Sequence, residues 1–203
     1  MTRSGQRARA GSRTTVYLAR HGHTSLNEAG VLRGLADPTL DEVGQRQARR
    51  LAGALGSRRL AAVFTSPLRR AAQTAAAVAE RAGLPAIIDE RLVDRDYGPC
   101  TGVSQDEVVA RWGSVDDAPG VESASIVRER AVAGLTDIAR RFPGGAVVVV
   151  SHDAVNRQVL TALDPSLGEP ERLPQENGCF NTLEAWDGSW IVRMVNEIPN
   201  QAP

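Results

Sequence analysis

The 203-residue chain is 42% hydrophobic and 24% charged, with aromatics at only 4%, the composition of one folded domain rather than of a fibrous or disordered chain. Its 24 basic residues are all arginine, so chemistry that needs a lysine amine, such as a P-loop lysine or a Schiff base, is excluded. Against 24 acidic residues the formal charge is zero, which argues against a nucleic-acid binder, and any phosphate site has to be a local cluster of arginines.

The chain opens with Arg3, Arg7, Arg9 and Arg13 among Gly and Ser, without the apolar centre of a signal peptide. Residues 1–13 are predicted to form a disordered basic tail, and 14–198 a single domain. The first strand is expected at Thr15 to Ala19 (TVYLA). After Asp41, the spacing of Gly44, Ala48, Leu51 and Leu55 predicts a helix with one buried stripe. Leu60 to Phe64 reads as the second strand, and Ser66-Pro67 as the N-cap and first position of an Ala-rich helix. A short strand is expected at Pro85 to Ile88. Val127, Ala131, Leu135, Ile138 and Phe142 mark a second striped helix, and Ala146 to Val150 (AVVVV) a buried strand. Cys179 to Trp186 and Trp190 to Val195 flank Asp187-Gly188, a hairpin pattern closing the sheet edge.

Strands alternating with amphipathic segments build a mainly parallel sheet with helices on both faces, a three-layer α/β/α sandwich. Ligands of such sheets bind at the carboxyl ends of the strands. Arg20-His21 follows the first strand, Arg70 lies near the start of the helix after the second, and His152 comes two residues past AVVVV. Three distant segments are therefore expected to meet at one pocket. Cys100 and Cys179 form no CxxC and no metal-ligand spacing, which fits a reducing cytoplasm. No apolar run approaches the ~20 residues of a membrane-spanning helix.

The segment LARHGHTSLN places Arg20, His21, Gly22, Thr24 and Asn27 together: an imidazole nucleophile, a guanidinium fork for phosphate oxygens, and small polar donors. This run resembles the RHG signature of the histidine phosphatase superfamily, in its phosphoglycerate mutase-like branch. Further blocks are similar to that family in the same order: Gly34, Asp37-Pro38, Leu40, Gly44 and Gln47-Ala48; Ser66 to Ala71 with Thr74-Ala75; Gly120, Glu122 and Ser123; and Val149 to Asp153 (VVSHD).

The resemblance implies a phosphoglycerate mutase-like fold and a metal-independent phosphatase in which His21 attacks phosphorus and becomes a phosphohistidine. It implies that Arg20, Arg70 and His152 hold the transferring group, with Thr24 and Asn27 as further phosphate donors. Phosphoryl transfer spreads charge over equatorial oxygens, so fixed positive charge around them does most of the work. No metal and no other cofactor is expected. The expected partner is a small phosphorylated metabolite rather than nucleic acid or membrane, and a homodimer is left open. Arg69 is read as a solvated helix residue and His23 as a neighbour of the pocket.

The chain departs from the family pattern twice. Where a glutamate usually donates the proton, LVDRDYG offers Asp94, whose shorter side chain falls roughly 1 Å short unless its loop moves inward. Asp96 is a second candidate, with a turn role set against it. Asp153 stands where glycine usually follows the second histidine. A carboxylate there repels phosphate unless Arg157, Arg20 or another base pairs with it; Asp153 is also a third candidate acid.

The short stretch between Gly102 and Gly120, with Arg111 its sole base, favours hydrolysis over mutase-type phosphoryl transfer. Two further alternatives are a metallohydrolase using His21, His23, His152 and Asp153, against which the flanking arginine speaks, and a phosphate-sensing protein left by the Asp94 and Asp153 changes. A cysteine phosphatase is excluded, because neither cysteine is followed by an arginine six residues on.

Overall fold

The structure is a computed structural model that describes residues 12–200, so the basic stretch 1–11 lies outside the described residues. Arg13, just inside them, donates to Glu184 at 3.0 Å. In chain order the elements are β1 (Thr14–Arg20), α1 (Ser25–Glu28), α2 (Glu42–Leu55), β2 (Leu60–Thr65), α3 (Arg69–Ala82), β3 (Ala86–Ile88), α4 (Gln105–Trp112), α5 (Ala124–Arg141), β4 (Ala146–Ser151), α6 (Asp153–Leu163), β5 (Phe180–Trp186) and β6 (Ser189–Glu197).

The six strands form one sheet in the order β3-β2-β4-β1-β5-β6. The first four are parallel, and the β5–β6 hairpin adds antiparallel to β1. Period-two alternation sends neighbouring residues to opposite faces. Val16, Leu18, Phe64, Val147 and Val149 pack against α5 and α6, whereas Tyr17, Ala19, Val63, Val148 and Val150 pack against α2 and α3. These two cores make the three expected layers. Asp187 (φ 48°) and Gly188 (φ 78°) take the left-handed conformation of a tight hairpin turn.

The helix stripes lie where the periodicity places them. Gly44, Ala48, Leu51 and Leu55 are buried in α2, and Val127, Ala131, Leu135 and Ile138 in α5. The start of α3 differs from expectation. The helix begins at Arg69 rather than Pro67, and the residue before it, Leu68, caps it without a side-chain hydrogen bond. Ser66 Oγ accepts from Leu68 N at 3.3 Å and also meets His152, so its side chain is shared with the site.

Strand register sets up the chemistry. Arg20 pairs with Ser151 between β1 and β4, and Thr65 pairs with Val150 between β2 and β4. His21, Ser66 and His152 therefore leave the sheet side by side.

Candidate active site

The candidate groups meet below the surface: Arg70, His21 and His152 are fully buried and Asp94 is 1% exposed. His21 is fixed by its backbone, whose N–H donates to Ser151 O at 3.0 Å and whose carbonyl accepts from Gly178 N at 3.1 Å. Its ring Nδ1 lies 2.7 Å from the carbonyl of Gly22. A carbonyl only accepts, so the proton sits on Nδ1 and the Nε2 lone pair is free. Arg70 Nε donates to that lone pair at 3.3 Å. Burial, then the charges of Arg70 and Arg20, hold the His21 pKa well below 6.5, which keeps the imidazole neutral.

Arg70 enters from the first turn of α3 and is satisfied on every side. Nη1 donates to Ala36 O at 2.6 Å, and Nη2 donates to Gly34 O at 3.0 Å and to Asp94 Oδ2 at 2.8 Å. Arg20 donates through Nη1 to the carbonyl of Gln175, which reaches the site from the loop before β5. Gln175 is itself pinned in a buried amide network with Asn156 and Asn181. His152 Nε2 lies 2.8 Å from Ser66 Oγ, and burial with Arg70 holds its pKa well below 6.5. Its ring centroid is 5.1 Å from that of His21.

Asp94 reaches the site despite its short side chain. Its Oδ2 lies 3.5 Å from His152 Nδ1, and its Oδ1 accepts from Arg95 N at 2.9 Å. Burial pushes its pKa up, against the pull of Arg70, which favours the protonated form a general acid needs. Arg130, on α5, fixes the backbone of this loop by donating to the carbonyls of Arg91, Val93 and Asp94, while Glu122 holds its other side. Asp96 takes the turn role, accepting from Gly98 N at 2.8 Å.

Asp153 is paired. Arg33 Nη2 donates to both of its oxygens at 2.9 and 3.0 Å, and Arg20 Nη2 lies 3.6 Å away. Burial alone would push Asp153 up, but the guanidinium groups of Arg20, Arg33 and Arg157 outweigh it and hold the group below the usual carboxylate range. An ionised Asp153 has no proton to donate. A cavity of about 180 Å³ opens beside this pair, lined by Arg33, Tyr97, Gln105, Asp153, Ala154 and Arg157. An adjoining cavity of about 230 Å³ shares Tyr97, Gln105, Ala154 and Arg157 and adds the Arg95–Asp116 pair.

Thus the structure brings together Arg20, His21, Arg70, Asp94 and His152. Thr24 and Asn27 cap α1: Asn27 Oδ1 accepts from Thr24 N at 3.1 Å and from Thr24 Oγ1 at 2.9 Å. That leaves the Asn27 amide NH₂ as the end suited to an anion. His23 is turned to Asp41 at 2.6 Å, and Asp41 caps α2. Among the described residues no group of three or more His, Cys, Asp or Glu could hold a metal ion, and none of the helices is long and apolar enough to cross a membrane. Sequence reasoning missed Arg33, Ser66, Arg130 and Gln175 as parts of the site. The contacts that tie them to the site, to Asp153, His152, Asp94 and Arg20 in turn, span 36 or more residues of sequence, and no local pattern marks them.

The chain belongs to the histidine phosphatase superfamily (branch 1), whose family model matches residues 16–198. It is 30% identical over 185 residues to the uncharacterized phosphatase PhoE of Bacillus subtilis, covering 90% of this chain and 94% of that one. It is 35% identical over 208 residues to the bifunctional protein Rv2228c of Mycobacterium tuberculosis, covering 97% of this chain but only 57% of that relative's length. Among solved structures, a phosphoglycerate mutase from Bacillus anthracis superposes with a TM-score of 0.84 at 25% identity, covering 93% of this chain and 95% of the other.

Proposed function

We propose that the chain is a phosphatase that hydrolyses a small phosphomonoester through a covalent phosphohistidine on His21. The observation that carries this reading is the commitment of His21 Nδ1–H to the Gly22 carbonyl, which leaves the Nε2 lone pair facing the Arg70 guanidinium. The phosphoryl group takes the place of the Arg70–His21 contact, and Arg20, Arg70 and His152 surround its oxygens. Nε2 attacks phosphorus as the P–O ester bond breaks, and Asp94 gives its proton to the departing alkoxide. The ionised Asp94 then takes a proton from water, whose oxygen attacks phosphorus. The P–N bond breaks, its electron pair returns to Nε2, and inorganic phosphate leaves. Each cycle restores the neutral imidazole and the protonated carboxyl without a metal ion.

The test is rapid quench at alkaline pH with a ³²P-labelled aryl phosphate, followed by mapping of the labelled peptide. Label on His21 that chases into phosphate supports the mechanism, and label on another side chain during turnover overturns it. Likeness to a phosphoglycerate mutase favours phosphoryl transfer between two positions of one acid as the second reading. Mutase turnover outrunning phosphate release would establish it.

A further inference from the structure

Asp153 opens α6 beside His152, where the family pattern resembled by this chain has glycine. The carboxylate stands between two guanidinium groups, bonded through both oxygens to Arg33 and 3.6 Å from Arg20. Those cations repel one another, so the anion between them holds them together. Glycine offers no such bridge. Arg33 comes from the loop between α1 and α2, and two residues of that same loop, Gly34 and Ala36, give their carbonyls to Arg70. The loop is therefore tied to both walls of the site, to α6 through Asp153 and to α3 through Arg70.

A second observation points to a ligand. Arg20 Nε and Arg33 Nε are buried and have no acceptor among the described residues. Buried donors without partners are rare, and two on the guanidinium groups that flank one carboxylate are suited to ligand oxygens. Resting on the phosphatase reading above, we propose that Asp153 is a positioning residue that holds Arg33 beside Arg20 in the phosphoryl pocket, so that three guanidinium groups rather than two embrace the transferring group. Arg33 is the additional phosphate-binding residue. The extra charge acts most strongly when the oxygens splay into the equatorial plane of the transition state.

Aryl phosphate hydrolysis by the intact chain tests this with Asp153→Asn, Arg33→Gln and the double variant. Each single change is expected to lower kcat by about tenfold or more with KM within about twofold, and the double variant to lose no more than the worse single one. Vanadate, which imitates the five-coordinate phosphorus, should weaken as inhibitor in step with kcat, while inorganic phosphate keeps its affinity within about twofold. A purely structural part for Asp153 would lower thermal stability without separating the two inhibitors. Equal weakening of both, multiplicative losses in the double variant, or unchanged kcat overturns the proposal. Should Asp153→Asn fail to fold, the vanadate-to-phosphate ratio of Arg33→Gln decides alone. Wild-type protein that neither turns over nor acquires the His21 label refutes the underlying phosphatase reading; wild-type turnover with insensitive variants refutes only this inference.

Discussion

At the scale of single residues, the site works by removing choices. His21 is neutral because it is buried beside two arginines, and its tautomer is set by the Gly22 carbonyl. His21→Ala is expected to abolish phosphate release and label incorporation alike. Asp94 is the residue whose role depends on the substrate. General acid catalysis contributes about 10² to 10⁴, mostly where the leaving group is a poor one. Asp94→Asn should therefore slow alkyl phosphates far more than aryl phosphates, as read from the ratio of their kcat values; equal losses would remove Asp94 from the acid role. The same carboxylate is the buried partner of Arg70. Arg70→Ala should accordingly cost about 1–3 kcal/mol or more of stability in urea unfolding, beyond its loss of activity, because it leaves the Asp94 oxygen and the Gly34 and Ala36 carbonyls without their donor.

At the scale of elements, what was legible followed from local pattern. The four parallel strands could be read as apolar runs, the stripes of α2 and α5 as helical steps, and the hairpin from Asp187-Gly188, since each depends on neighbours in sequence. RHG and SHD could be placed at strand ends for the same reason. The start of α3 was misread because Ser66-Pro67 has the chemistry of a helix opening, whereas Ser66 instead bonds a histidine 86 residues later. Arg33 was invisible because its partner lies 120 residues on. Pairings of that length are made by topology, and composition does not encode them.

One contact between elements is open to direct test. The backbone of Gly44, in the first turn of α2, packs against the loop after β1, and a Cβ there would collide with the His23 carbonyl. Gly44→Ala is expected to cost about 1–3 kcal/mol by overpacking and to lower kcat by shifting the loop that carries His21. Gly53, on the same helix, has open space around it. Gly53→Ala should be stabilising by about 0.4–1 kcal/mol with activity unchanged, so thermal melts of the two variants separate crowding from helix propensity.

At the scale of the whole molecule, the buried histidines make folding sensitive to acid. His21 and His152 both titrate well below 6.5 in the folded chain. Below that value the unfolded chain binds protons that the folded chain refuses, so stability falls as pH falls, by up to about 1.4 kcal/mol per unit for each histidine. Asp94, raised above its ordinary 3.8, acts with the opposite sign between that value and its raised one, but it is one proton against two. Urea midpoints should hold level above about pH 7 and decline below about pH 6.5; a rise on acidification would contradict the neutral assignment of both rings. The side chains proposed as catalytic all stand on one rim of the sheet, where the parallel strands end. The opposite rim carries the turns at Ser57–Arg59, Gly144–Gly145 and Asp187–Gly188, none of which touches the reacting groups. A peptide tag or a fluorophore spliced into the Ser57–Arg59 turn would report on this protein while leaving turnover intact.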